Sequence, residues 1–178
     1  MQRQMIFLLI MLLGNLNGHS QSDYPVPQTT ANHLFYIQRS GNTNTIMYDA
    51  VLNGTKKFNT DNPIHSYWIR FADKGEKKEL SFIQRKFAYG VDARPSKNRN
   101  EFEFNIVSYE KRKMRLLFNK SGNPVAITQI NGKNAVLKKV FIKMDPGTML
   151  SFTPDIKYVE LYGNDPDTGE QIYEKLIL

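Results

Sequence analysis

Trp68 and Arg70 stand two residues apart in the stretch Tyr67-Trp68-Ile69-Arg70-Phe71. On an extended strand they share one face. Further on, Phe82, Arg85 and Tyr89 fall along one flank of a helix, with Lys86 beside Arg85. Aromatic rings interleaved with guanidinium and ammonium groups suit stacking on a carbohydrate or capture of an anion. These six residues form the candidate ligand-binding set. If the strand and helix flanks meet, Arg85 or Lys86 faces the same cavity as Trp68. Burying two guanidinium groups costs on the order of several kcal/mol, so either an acid such as Glu79 or Asp92 pairs with them or a ligand anion belongs there. The competing reading makes Trp68 and Tyr89 core residues and Arg85 a solvated or snorkelling side chain.

Other chemistry is sparse. The chain has no cysteine, which excludes disulfides, thiolate zinc sites and cysteine nucleophiles. His33 and His65 could meet across a barrel and bind metal with a carboxylate, but a histidine at a strand start is expected at the surface. The carboxylates of Asp165-Pro166-Asp167-Thr168-Gly169-Glu170 lack the full calcium-loop ligand set and read as a hairpin turn. Gly132-Lys133 lacks the rest of a phosphate loop. No catalytic residue, metal ligand or cofactor is assigned. Lys111, Arg112, Lys113 and Arg115, together with Arg94, Lys97 and Arg99, would form a cationic rim if both groups stood at one end of a barrel. Only Tyr109 offers a nearby ring for base stacking, so nucleic acid is not an expected partner.

The elements that must position the candidate set are mostly strands. Alternation of apolar and polar residues predicts strands over 33–39, 45–52, 67–71, 101–109, 114–118, 125–130, 135–144, 156–162 and 172–178. Asn53-Gly54 and Asn131-Gly132 are turn signals, and Asp145-Pro146-Gly147 is a further turn. Between Lys77 and Tyr89 alternation fails. Leu80, Ile83 and Phe87 recur at helical spacing and are expected to form its buried stripe. Asp73 with Glu76 is the expected start, and Gly90 a left-handed stop. Asp92 to Asn100 reads as a surface loop. The fold expected is mainly β: an antiparallel barrel or barrel-like sandwich of about nine strands with one covering helix.

Residues 1–20 read as a secretory signal peptide: Arg3, an apolar run from Met5 to Leu13, then Gly18-His19-Ser20 ahead of cleavage before Gln21. Residues 21–32, with Pro25 and Pro27, read as a flexible or extended arm, and 33–178 as one β-rich domain. The formal charge is +7, falling to +6 without Arg3, which favours acidic partners. No later stretch is long or apolar enough for an integral membrane helix. The expected location is secreted or periplasmic.

The segments Leu34–Arg39, Asn44–Ala50, Pro63-Ile64, Tyr67–Arg70 and Ile83–Val91 resemble an uncharacterised family of bacterial exported proteins, a domain of unknown function. The resemblance implies an exported single-domain protein and supplies no activity, ligand or catalytic residue. Three functions remain open. One is a non-catalytic binding module for a small amphiphilic or anionic ligand. A second is a hydrolase acting on cell-envelope material, and a third is a structural or interaction protein of the envelope. A deep pocket with convergent polar groups favours the first, two facing carboxylates the second, and a filled interior with an exposed apolar patch the third.

Overall fold

The computed structural model describes residues 24–54, 56–98, 100–145 and 155–177. The expected signal peptide, the first residues of the expected arm, Thr55, Arg99 and the expected Pro146-Gly147 turn lie outside the described residues. Most strands form where the sequence alternates. β1 (His33–Arg39), β2 (Thr45–Ala50), β3 (Ile64–Arg70) and β4 (Glu76–Glu79) make one antiparallel meander. β5 (Val91–Pro95), β6 (Phe102–Ile106), β7 (Met114–Phe118) and β8 (Pro124–Ile130) make a second. The second leads into β9 (Lys133–Met144) through Asn131 and Gly132, whose φ values of 50° and 73° are those of the expected two-residue hairpin turn. β10 (Ile156–Asn164) and β11 (Gln171–Ile177) close the chain as a hairpin.

β9 joins the meanders. Its start, Lys133–Val136, pairs with β8, and Lys139–Ile142 pairs with β1. β10 overlaps both of these registers, so it runs along the opposite edge. The two wings therefore diverge from one edge of β9 and curl toward each other, with β3 approaching β5. The result is a half-barrel, mainly β as the sequence predicts. Its interior is filled. Phe35 stacks on Tyr48 at 4.4 Å between ring centres, and meets Phe104 of the other wing at 6.4 Å. Leu116, Ile130, Leu137 and Leu161 complete a continuous buried core.

Several expectations change. Among the described residues the strands number eleven, because β4 occupies what the sequence assigns to the helix start and β5 part of what it assigns to a loop. Both are short, polar outer strands of their meanders, where the missing apolar alternation costs little. The β1–β9 pair is parallel, so the sheet is mixed. The helix begins at Phe82, as α1 (Phe82–Gln84), and continues as a π-type turn over Arg85–Tyr89. Its cap is Ser81, whose hydroxyl accepts from the Gln84 backbone while the Gln84 side chain accepts from the Ser81 backbone. Asp73 instead pairs with Arg70 in a 3-10 turn, Phe71–Asp73. Gly90 is extended, not left-handed, with φ −67° and ψ 171°. Of the expected stripe only Leu80 is buried; Ile83 and Phe87 point to solvent. The two basic loops stand at opposite ends of β6 and form no common rim.

The arm is extended against the sheet. Tyr24 sets its ring edge-on to Phe141, and the Gln38 amide donates to the Pro25 carbonyl at 2.8 Å.

Candidate functional site

The registers Ile37–Ile46 and Ile46–Trp68 stack three core residues on the inner face of the first wing. Alternation then carries Arg39 and Arg70 to the same face, one strand step further out. Both arginines thus stand at the mouth of the half-barrel, beyond the last apolar layer. A cleft of about 480 Å³ lies between the Lys57 and Ser96 loops at another part of the surface. The cleft at the mouth has a volume of about 460 Å³ and is lined by Arg39, Asn44, Trp68, Arg70, Lys78, Glu79, Ser81 and Gln84.

Arg39 is its centre. The guanidinium carbon lies 5.3 Å from the Trp68 ring centre and 5.8 Å from that of Tyr89, and these two rings meet edge-to-face at 5.4 Å. One terminal nitrogen donates to the Tyr89 hydroxyl at 2.7 Å. Its Nε is buried without a hydrogen-bond partner, and among the described residues no carboxylate pairs with it. Two rings favour the cation through their faces, yet they accept few of its five N–H donors. Around it, Trp68 is buried, and its indole N–H donates to Gln84 Oε1 at 3.3 Å. The same oxygen caps the helix, so Gln84 ties the helix start to the cleft wall. Tyr48, fully buried, donates its hydroxyl to the Tyr89 carbonyl at 2.9 Å and fixes the end of the helical turn. Burial and the neighbouring Tyr89 push the Tyr48 phenol well above its ordinary range, so it remains a donor.

The charges do not cancel. Arg70 is paired with Asp73, and Lys78 has no carboxylate partner among the described residues. Glu79, the acid of the lining, is already committed. It bonds His65 at 2.9 and 3.0 Å and reaches Arg85 at 3.9 Å. The His65 bond leads in holding its carboxyl below the usual range. A planar, multidentate cation, an aromatic wall and the hydroxyl and amide groups of Ser81, Asn44 and Gln84 can hold a small anion, with ring contacts for any apolar part.

The structure brings Trp68, Arg70 and Tyr89 of the candidate set to this corner. It does not bring the others. Arg85 points along β4, bonding the Leu80 carbonyl at 3.2 Å, and is 60% exposed in its side chain. Phe82 and Lys86 lie on the outer side of the helix. Arg39 replaces Arg85 as the cation over the indole. Its signal is present in the sequence, since Phe35, Ile37 and Arg39 alternate on one face of β1.

A second polar cluster lies on the opposite side of the sheet. His33 Nδ1 and Asp49 Oδ1 are 2.9 Å apart, and Asp49 Oδ2 accepts from Tyr67 at 2.8 Å. His33 is thus largely buried, not on the surface. His33 and His65 keep separate carboxylates, and among the described residues no three His, Asp or Glu side chains gather as metal ligands.

A family model described as "Domain of unknown function (DUF4833)" matches residues 35–175. No curated protein and no solved structure matches the chain.

Proposed function

Because the chain belongs to the DUF4833 domain family, whose description names no activity, we propose a function from its own geometry: it is a non-catalytic binding module that takes a small anionic ligand at the mouth of the half-barrel. One observation carries this reading. The Arg39 guanidinium sits against two rings with a buried, unpartnered Nε and no carboxylate beside it. A phosphate, sulfate or carboxylate entering the cleft supplies the missing charge and accepts its remaining donors. Trp68 and Tyr89 then contact the part of the ligand next to the anion. The filled interior limits the ligand to the cleft and keeps it out of the barrel.

Trp68 is the single tryptophan of the chain, so its fluorescence reports on the cleft directly. Titration with mono- and diphosphates, sulfate esters and carboxylates should change the emission saturably for at least one class. Arg39→Lys should weaken that binding by roughly ten- to a hundred-fold, because a point charge cannot replace a bidentate fork, while the exposed Arg94→Ala variant should bind unchanged. Saturable binding that survives Arg39→Lys intact would sink the proposal.

The protein is exported, on this reading, because Arg3, the apolar Met5–Leu13 run and Gly18-His19-Ser20 follow the pattern of a cleaved leader. N-terminal sequencing of protein recovered outside the cytoplasm should begin near Gln21; an intact Met1 there refutes it.

A further inference from the structure

The helical turn over Phe82–Tyr89 carries its apolar side chains outward. Phe82 is 74% exposed, Ile83 69% and Phe87 64%. Single exposed apolar residues are ordinary, but three large ones on one turn make a patch that needs an occupant. Most of each side chain faces solvent, so the three form a protruding ridge. Lys86 lies between the two rings, its ammonium 5.6 Å from the Phe82 centre and 5.4 Å from that of Phe87. The ammonium is held against both rings as a cation–π contact, which sets a positive charge beside the apolar ridge, the combination a lipid–water boundary accepts. The surrounding sequence is cationic: from Lys74 through Lys86, both included, there are five lysines and arginines against Glu76 and Glu79. Glu79 is held by His65 and Arg85.

We propose that this ridge docks the protein on an anionic lipid bilayer, Phe82, Ile83 and Phe87 entering the headgroup boundary and Lys86 meeting the lipid charge. A protruding ridge has no groove for a partner's side chains, whereas a bilayer deforms around it. The net positive surround selects anionic over zwitterionic lipid. Phe82, Ile83, Lys86 and Phe87 are not among the residues that line the Arg39 cleft, so the proposal stands or falls independently of the ligand reading.

The chain has no cysteine, which allows a single reporter. In the full chain, Ile83→Cys carries an environment-sensitive fluorophore, and Lys120→Cys, at an exposed hairpin, serves as control. Vesicles of phosphatidylcholine with about one-third phosphatidylglycerol should shift the residue-83 emission to the blue. Spin-labelled lipid should quench it, and the residue-120 emission should stay unchanged. Pure phosphatidylcholine should give at least ten-fold weaker binding. Adding Phe82→Ser and Phe87→Ser, or Lys86→Glu, should abolish the residue-83 response with melting temperature retained, since all three side chains are solvent-facing. Adding Arg39→Ala should leave the response intact. A residue-83 label that stays in water on anionic vesicles overturns the proposal. So does equal binding to both lipid compositions, or a blue shift that grows with protein concentration without lipid, which would assign the ridge to a second copy.

Discussion

Arg39 and Asp49 face opposite sides of the same two strands and solve opposite problems. Asp49 is a partly buried carboxylate with donors supplied. Burial opposes its ionisation, but the hydrogen bonds from His33 and Tyr67 outweigh that cost and hold its carboxyl below the usual range. A native group that gives up its proton more readily than the unfolded one stabilises the fold above the unfolded value, near pH ~4. That contribution is lost as pH falls through the lower native value. Asp49→Asn should therefore lower stability at neutral pH by about 1–3 kcal/mol, and chemical denaturation from pH 7 down to acid should show the difference from wild type shrinking below pH ~4. A constant difference across that range would rule the account out. Arg39 is a cation with donors left over. Its place on the inner face of β1 is legible from the alternation of Phe35, Ile37 and Arg39. Its partners are not, because Tyr89 is 50 residues away.

At the level of elements, periodicity reveals that a helix exists but not which way it faces. Leu80, Ile83 and Phe87 keep helical spacing, yet Leu80 precedes the cap and is buried as part of the approach from β4. The phase follows from Ser81 and Gln84, a capping box legible in the sequence as Ser-x-x-Gln. Gly90 ends the turn by close approach. A Cβ there would lie 1.9 Å from the Arg85 carbonyl oxygen, backbone that no rotamer change can move. Gly90→Ala should cost about 1–3 kcal/mol and displace Tyr89, the residue that holds Arg39. Its melting temperature should fall, and Trp68 emission should shift even without ligand; a variant as stable as the parent with unchanged emission contradicts this. Gly132, by contrast, is needed for its positive φ.

For the whole molecule, hairpin turns and alternation give nine of the strands, because each such signal is local. The parallel β1–β9 pair has no local signal, since it depends on a strand that the sequence places far beyond β1. That pairing has a consequence in time. The first meander is complete by Glu79, but the free edge of β1 waits for Lys139–Ile142, and Ser40 bonds the Met144 carbonyl 104 residues away. Loop closure on that scale is entropically costly, and folds ruled by such distant pairings form on the order of milliseconds to seconds, not microseconds. While the chain is being made, the first meander presents the unpaired edge of β1 and cannot lock into the final sheet. The sheet of such a polypeptide is completed only once Lys139–Met144 has been made.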